Sequence, residues 1–350
     1  MAASPTTQSG LDLSWLDLYD DPATATPGKK GLTLKEINLG RYADKARGAG
    51  DMTYRLRGSV PRPGAQRFGT NYQSKADVWA ENCIMLYEEA TQRQWSSARD
   101  IPWDTLEALP DEIERAMCQL CTMLTEVEFI AGDVPGQWLP FVSAQDFEAG
   151  LFLMSQIMDE ARHTDVFRKR ALVNGGGLLA QGAGLGLRTL LEARDFTEMS
   201  VLMHVQAEGF VQSMFRMGEL IGQTDADKRI FRMSAQDESR HLAFGVMHLK
   251  YVLDTEPERR EEIHHYLDKA EGDAAGGGSG DVTFPPVFES LCLLLGGGSN
   301  KFDEGVQKFL VLRKRQINEY VHRLAVAGMP DRKDRLGPLM AQFVDQDAQV

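Results

Sequence analysis

A five-residue pattern that occurs twice constrains this chain more than any other feature of its sequence. Residues 159–163 read Asp-Glu-Ala-Arg-His, and residues 237–241 read Asp-Glu-Ser-Arg-His. Side chains three residues apart lie on one face of a helix, so each copy directs a Glu carboxylate and a His imidazole to the same point. A single Glu-x-x-His motif is weak evidence for a metal site, because many such motifs occur by chance. Two copies that share the preceding Asp and the intervening Arg predict a paired site.

Two facing Glu-x-x-His helices, with one Glu from each of two further helices, form the ligand set of a di-iron or di-manganese four-helix bundle. The repeated pattern supplies four of these six ligands, namely Glu160, His163, Glu238 and His241. For another bundle helix we predict Glu208, the only acidic residue between Glu198 and Glu219, with Met, Val and Phe around it. A carboxylate in such surroundings is costly to bury unless it is paired or bound to a metal.

The first bundle helix offers two carboxylates, Glu126 and Glu128. An apolar stripe through Met117, Leu120 and Leu124 continues at position 128 by helical spacing. We therefore predict Glu128 as the sixth ligand. Glu126 follows polar side chains that indicate a solvated face, and it remains the alternative.

The Asp and Arg of each copy are predicted to support the ligands. A metal-bound imidazole usually donates its second N–H to a carboxylate. Asp159 and Asp237 are each expected to serve the histidine of the opposite copy, with Arg162 and Arg240 holding the aspartates. The alternative is a pair of salt-bridged helix faces exposed to solvent.

Helical patterning dominates the chain after about residue 74, and no segment shows the alternation of a half-buried strand. We predict helices at 75–97, 108–133, 143–173, 187–222, 225–254, 258–271, 284–295 and 301–327. Residues 133–136, which read Asp-Val-Pro-Gly, are predicted to end the second helix. Ser143 with Asp146 is predicted to begin the third, and Thr224 is the predicted N-cap of the helix with the second copy.

This pattern predicts four regions. An extended Pro/Gly-rich basic arm covers 1–74, a helical bundle covers 75–272, a C-terminal helical pair packed on the bundle covers 281–330, and a tail covers 331–350. The basic side chains of the arm are expected to lie over the acidic body of the protein, with docking to a partner as the alternative.

Composition excludes several classes of function. The 350-residue chain has a net charge of −13, which argues against nucleic-acid binding, since that needs basic surface. No apolar run reaches the length of a membrane span, and the N-terminus lacks a signal pattern, so we expect a cytoplasmic protein without a membrane partner. The four cysteines are expected to be core thiols, and they are Cys83, Cys118, Cys121 and Cys292.

The region from about 94 to 247 resembles the ferritin-like di-metal carboxylate oxidases and oxygenases. It is most similar to the ribonucleotide reductase small-subunit-like proteins, especially the ligand-binding oxidase branch. The resemblance rests on Leu-Cys-Thr at 120–122 before Glu128, on residues 163–168, on Glu208-Gly209, and on 237–241 continuing to Gly245. It implies an all-α fold, a ferritin-like four-helix bundle with additional helices, and it independently favours Glu128.

Departures from the related subfamilies narrow the expected function. Phe167 occupies the position of the radical tyrosine of ribonucleotide reductase small subunits. Ala131 and Met203 replace the valine and tyrosine that the ligand-binding oxidases crosslink. Gln212 replaces a threonine of the hydroxylases, and Ser234 replaces the third histidine of the arylamine N-oxygenases.

The expected function is an O2-activating di-metal oxygenase or oxidase, in which the six ligand residues form the catalytic site. The cofactor would be two iron ions, or one manganese and one iron, with O2 as cosubstrate. The substrate would be a small, largely apolar organic molecule that undergoes hydroxylation, N-oxygenation or desaturation. Because the sequence has no flavin, nicotinamide or iron–sulfur motif, an external reductase or ferredoxin is expected as electron donor. We also expect a homodimer.

Three alternatives remain open at this point. The first is a radical-generating subunit like that of ribonucleotide reductase, without a tyrosyl radical. The second is ferritin-type metal oxidation and storage. The third is a metal-free helical interaction protein, in which four glutamates would repel one another in a core.

Overall fold

The computed structural model describes residues 14–17, 24–43, 56–59, 73–174, 176–180, 185–274 and 285–344. Regular structure in these residues is helical, and the only β pairing among them is an isolated bridge between Gly28 and Gly31. The predicted all-α fold is therefore confirmed. None of the described helices is long and apolar enough to cross a membrane.

The chain forms two compact units. The first comprises Met1–Gln73 with Phe141–Phe147, and the second comprises Ser74–Pro140 with Glu148–Val350.

In the first unit, the short helix α1 (Leu34–Ile37) begins at Thr33, whose side chain forms a capping box with Glu36. Arg57 is the organising residue of the described part of this unit. Its guanidinium donates to the carbonyls of Tyr42 and Gln145 at 3.0 and 2.7 Å, and it lies 5.1 Å from the ring centroid of Phe147. Parts of the predicted arm lie outside the described residues, as does the glycine run at 276–280.

The second unit contains the remaining helices. In chain order they are α2 (Lys75–Val78), α3 (Cys83–Gln92), α4 (Asp111–Trp138), α5 (Phe147–Val173), α6 (Leu185–Leu191), α7 (Phe196–Ser200), α8 (Glu208–Phe215), α9 (Gly218–Ile221), α10 (Asp225–Thr255), α11 (Arg260–Ala274), α12 (Pro285–Gly296), α13 (Phe302–Val326) and α14 (Pro338–Ala341). Between α7 and α8, Val201–Ala207 forms a π-helical turn. The long helices α4, α5 and α10 together with α8 carry the predicted ligands.

The start of α10 follows from its capping residues. Thr224 accepts a hydrogen bond from the backbone N–H of Asp227, and the Asp227 carboxylate accepts one from the N–H of Thr224 at 3.0 Å. This reciprocal pair satisfies donors that the first helical turn leaves without partners. The predicted N-cap is confirmed, and it fixes where the helix with the second copy begins.

Two predicted helix boundaries were wrong. The second predicted helix does not end at 133–136, because α4 continues through Pro135 to Trp138. Proline has a helical φ but removes an N–H donor and crowds the carbonyl four residues earlier. The helix nevertheless continues for three residues beyond Pro135, which is buried. The third predicted helix begins at Phe147 rather than at 143, because the N–H of Asp146 bonds to the carbonyl of Ser143 in a turn that precedes it.

Two other predicted helices are interrupted. The first, at 75–97, is divided into α2 and α3, and the long helix predicted at 187–222 is divided into α6, α7, the π turn, α8 and α9. Asp195 begins α7 by accepting a hydrogen bond from the N–H of Glu198 at 2.8 Å. Asp prefers this N-cap position over a helix interior, which explains the break.

Aromatic and aliphatic side chains fill the core on both sides of the ligand helices. On one side, Phe167 of α5 packs against Phe215 of α8 and Phe231 of α10, with ring centroids 5.4 and 6.0 Å away. The helices α12 and α13 pack against each other, and α12 also packs against α4. All four cysteines are buried and free, as predicted.

Candidate metal centre

The six predicted ligand side chains come together in the interior of the second unit. Glu128 projects from α4, Glu160 and His163 from α5, Glu208 from α8, and Glu238 and His241 from α10. Each of them is at most 4% exposed, although carboxylates are rarely buried without a partner. Glu126, the alternative on α4, is half-buried and lies outside the cluster formed by the described residues.

The cluster divides into two overlapping groups. Glu128, Glu160, His163 and Glu238 each place a potential ligand atom within 4.8 Å of the others, and Glu160, Glu208, Glu238 and His241 do the same. Glu160 and Glu238 belong to both groups, and each group adds one histidine and one further glutamate. This arrangement would fit two adjacent cations, with Glu160 and Glu238 within reach of both.

Many polar atoms of the cluster have no hydrogen bond. Within the described residues, the unbonded atoms are Glu128 Oε1, Glu160 Oε1, Glu208 Oε2, both carboxylate oxygens of Glu238, and His241 Nδ1. Buried polar atoms nearly always have a partner, so each exception needs an explanation. His241 Nδ1 and Glu160 Oε1 lie only 2.9 Å apart without the alignment of a hydrogen bond. These atoms are directed toward common points between them, and the donor set therefore fits metal ions.

The aspartates of the repeated pattern support the opposite histidines, as predicted. His163 Nε2 lies 3.3 Å from Asp237 Oδ2, and His241 Nε2 lies 3.2 Å from Asp159 Oδ2. A neutral imidazole that donates through Nε2 leaves the lone pair of Nδ1 directed into the cluster. The crossed pairs thus hold both rings in the tautomer that a metal requires.

The two arginines of the pattern link the aspartates to each other. Arg240 Nη2 contacts Asp159 at 2.7 Å and Asp237 at 2.6 Å. Arg162 Nη2 contacts Asp237 at 3.1 Å and also pairs with Asp159. The alternative of exposed salt-bridged helix faces is wrong, because all four side chains are buried.

Trp95, which the sequence analysis did not single out, completes this arrangement. Its indole N–H donates to Asp237 Oδ2 at 2.7 Å, and its ring stacks on His163 with centroids 6.4 Å apart. The guanidinium of Arg162 lies 5.4 Å from the Trp95 ring centroid and donates to Gln94 Oε1 at 2.6 Å. Trp95 follows α3 and has no spacing relation to the repeated pattern, so the sequence contained no signal for it.

The pKa shifts of the cluster indicate that a bound cation would replace protons on these side chains. Burial, reinforced by neighbouring carboxylates, raises the pKa of Glu128 and Glu208 well above the ordinary value. Burial also opposes ionisation of Glu160, but His241 and His163 hold its pKa below the usual range. Although burial disfavours the imidazolium form, the surrounding carboxylates raise the pKa of His163 and His241. Without metal, protons on these groups balance the buried negative charge.

These helices and the buried cluster have the architecture of the ferritin-like fold. An R2-like ligand-binding oxidase with aerobically reconstituted Mn/Fe cofactor aligns with 71% of this chain and 93% of its own, at 16% identity and a TM-score of 0.50. A valine-to-isoleucine mutant of an R2-like ligand-binding oxidase aligns with 71% of this chain and 94% of its own, with the same identity and TM-score. No protein-family model and no curated protein matches the sequence. The structural likeness confirms the predicted fold.

Proposed function

We propose that this protein is a di-metal oxidoreductase that activates O2 and oxidises a small, largely apolar organic substrate. The convergence of six buried ligand side chains, several of whose polar atoms have no other partner, carries this proposal. An interaction protein without metal would gain nothing from burying four glutamates around two histidines, because their mutual repulsion and desolvation are unfavourable.

Glu128 and His163 would hold one ion, Glu208 and His241 the other, and Glu160 and Glu238 would bridge them. Carboxylate and imidazole ligands without thiolate suit iron and manganese. The R2-like oxidases with the same fold contain Mn/Fe, which supports either two iron ions or one manganese and one iron. When bound, such a metal pair supplies the electrons and the binding site for O2.

The protein's own side chains contribute orientation and exclusion of water. Asp159 and Asp237 keep the two imidazoles in one tautomer, and Arg162 and Arg240 fix the aspartates. A rigid ligand set of this kind lowers the reorganisation that each change of charge at the site requires. Burial of all six ligands keeps bulk water away from the reacting centre.

The proposed reaction is hydroxylation, N-oxygenation or desaturation, with electrons from a separate reductase or ferredoxin. We also propose that the protein acts as a homodimer. A cleft of about 510 Å³ lies beside α8 and α10, and its lining combines Gln212 and Ser239 with charged side chains, among them Arg216, Glu219, Lys228, Arg232 and Arg315. Gln212 donates to Ser239 Oγ at 3.2 Å, and these two residues lie close in sequence to Glu208 and Glu238.

A second candidate function is generation of a radical for a partner subunit. The contact of Trp95 with Asp237, and of Asp237 with His163, favours it, because an oxidisable indole then lies one hydrogen-bonded carboxylate away from a ligand. In this function Trp95 would carry an electron between the metal pair and the partner, without a tyrosine near the site.

The first test measures iron and manganese per chain after expression with both metals, followed by spectra after anaerobic reduction and exposure to O2. We expect about two ions per chain in the wild type and loss of metal in Glu208→Ala and His241→Ala. Glu126→Ala, which alters a carboxylate outside the cluster on the same helix as Glu128, serves as the matched control and should retain both ions. Wild-type protein without metal would contradict the proposed function.

A further inference from the structure

Behind Glu208, three buried polar side chains form a continuous chain of hydrogen bonds. Gln156 Nε2 donates to Glu208 Oε1 at 2.9 Å, and Gln156 Oε1 lies 3.2 Å from His204 Nε2. His204 Nδ1 lies 2.9 Å from the hydroxyl oxygen of Ser200. Gln156, His204 and Ser200 are buried, and none of them belongs to the repeated pattern.

The donor and acceptor groups of these side chains fix the direction of every hydrogen bond in the series. A metal-bound carboxylate only accepts hydrogen bonds, so Gln156 presents its amide N–H to Glu208 and its carbonyl to His204. His204 Nε2 therefore carries the ring proton, and Nδ1 accepts from the Ser200 hydroxyl. Burial, together with the nearby His241 and His248, lowers the pKa of His204 to about 3, which keeps the ring neutral. Each of these polar atoms then has a defined role.

Packing holds His204 in this position. A Cβ added at Gly245 of α10 would collide with the Cβ of His204, so α10 approaches the π turn as closely as its backbone allows. On another side, the ring of Phe244 meets the imidazole edge-to-face with centroids 5.5 Å apart. His204 is thus enclosed by α10 on two sides, and its ring N–H sets which way the Gln156 amide faces.

Among the residues that the structure describes, the other half of the cluster has no equivalent chain of hydrogen bonds. Glu128 occupies the corresponding position beside His163, with Glu128 Oε2 at 3.5 Å from His163 Nδ1. Its Oε1 makes no hydrogen bond within the part of the chain that the structure describes. Glu208 is therefore held by a neutral amide outside the ligand set, whereas Glu128 contacts His163, itself a proposed ligand. The two proposed metal positions differ in this support.

We propose that Gln156 and His204 are positioning residues that fix the carboxylate of Glu208 and thereby slow the release of the ion held beside His241. This inference rests on the proposed metal function. The tether acts on one of the two ions only, because the Glu128 carboxylate at the other position is not connected to it. Loss of a supporting hydrogen bond behind a ligand typically weakens metal binding by about 10–100-fold.

The test uses full-length protein loaded with Fe²⁺ or Mn²⁺ and measures the release of each ion to an excess of chelator. Gln156→Leu removes both hydrogen bonds of the amide, and we expect it to accelerate the release of one of the two ions by about 10–100-fold. His204→Phe keeps the ring volume but lets the amide turn, so its effect should be smaller. Ser200→Ala removes only the last bond and should have the smallest effect. A role in packing alone would not give this order, nor confine the change to one ion.

His248→Phe provides the matched control. His248 is equally buried and stacks on the same Phe244, but it bonds to the carbonyl of Trp79 at 2.9 Å and lies 3.1 Å from Thr197 Oγ1. This variant should lose stability toward denaturant while both ions leave at wild-type rates. If the wild type binds two ions and Gln156→Leu releases both at the wild-type rates, the positioning role is overturned, but the proposed function is not. A wild type that binds no ion would overturn the proposed function and this role together.

If Gln156→Leu does not fold, as judged by circular dichroism, Ser200→Ala and His204→Phe decide the question together, because each removes a hydrogen bond further along the same series. Faster release of one ion in either variant supports the positioning role. Release of both ions at wild-type rates from Ser200→Ala and from folded His204→Phe would contradict it.

Discussion

The indole N–H of Trp95 donates to Asp237 Oδ2 at 2.7 Å, and the same oxygen lies 3.3 Å from His163 Nε2. One carboxylate oxygen therefore connects an aromatic side chain outside the repeated pattern to a proposed ligand. Although burial opposes ionisation of Asp237, its neighbours His163, Arg240 and Arg162 hold the pKa of this carboxyl below the usual range. Asp237 remains an acceptor for all of these donors.

Trp95→Phe should retain both metal ions but change the electronic spectrum of the loaded site, because Asp237 then interacts more strongly with His163. The lost hydrogen bond should lower the free energy of unfolding by about 1–3 kcal/mol. Trp103→Phe is the control, since Trp103 donates to the carbonyl of Ser97, away from the cluster. Trp103→Phe should lose stability while its loaded spectrum stays that of the wild type. Identical spectra in Trp95→Phe and Trp103→Phe would contradict the prediction.

Asp159→Asn and Asp237→Asn should each lower metal affinity by about 10–100-fold, because an amide supports the required imidazole tautomer less well than a carboxylate. Competition between the protein and a metal-sensitive dye measures this affinity. Asp227→Asn is the matched variant on α10: Asp227 is buried and paired with Arg170, apart from the ligands. It should reduce stability and leave metal affinity unchanged, so equal affinity losses in all three variants would indicate a general structural effect.

Metal affinity should rise with pH. The pKa values of Glu128 and Glu208 are raised chiefly by burial, and those of His163 and His241 by their carboxylate partners, so the metal-free cluster binds protons that the metal-bound cluster must release. Lowering the pH therefore favours the metal-free state. Calorimetric titration with Mn²⁺ in buffers of different ionisation enthalpy counts the protons released. Zero release at every pH would be incompatible with this account.

Gly245→Ala should destabilise the protein, because the new Cβ meets that of His204. Overpacking of this kind typically costs about 1–3 kcal/mol, measurable by denaturant unfolding. Gly272→Ala on α11 is the control: an added Cβ there meets nothing within 4 Å, and alanine in a helix is favoured over glycine by about 1 kcal/mol. The two substitutions should therefore change stability in opposite directions.

The ligand cluster could be predicted from the sequence because helical spacing is local. His163 lies three positions after Glu160, and His241 lies three positions after Glu238. This spacing places each pair on one helix face, whatever the tertiary structure. Glu208 could be predicted because a lone acid in an apolar stretch has few stable alternatives. The all-α fold followed from the same periodicity.

Other parts of the site depended on contacts between distant segments. Trp95 lies outside the ligand helices, and no spacing rule connects it to the ligands. Gln156 lies one helical turn before Glu160, but its partners Glu208 and His204 belong to another segment, which spacing along α5 does not indicate. A rule based on residue type also does not predict that α4 continues through Pro135, which is buried. Tertiary packing decided each of these features.

The π-helical turn at Val201–Ala207 has a consequence for how this segment tolerates a change of length. A π turn holds one residue more than the α-helical turn it replaces. Removing one residue within it would let the segment continue as an α-helix, and the residues after the deletion would keep their orientation relative to those before the turn. Glu208 would therefore still face His241. The same single-codon deletion in a regular α-helical turn would rotate every later residue by about 100° relative to those before it, so the π turn is a place where the gene can lose a codon and keep the ligand set.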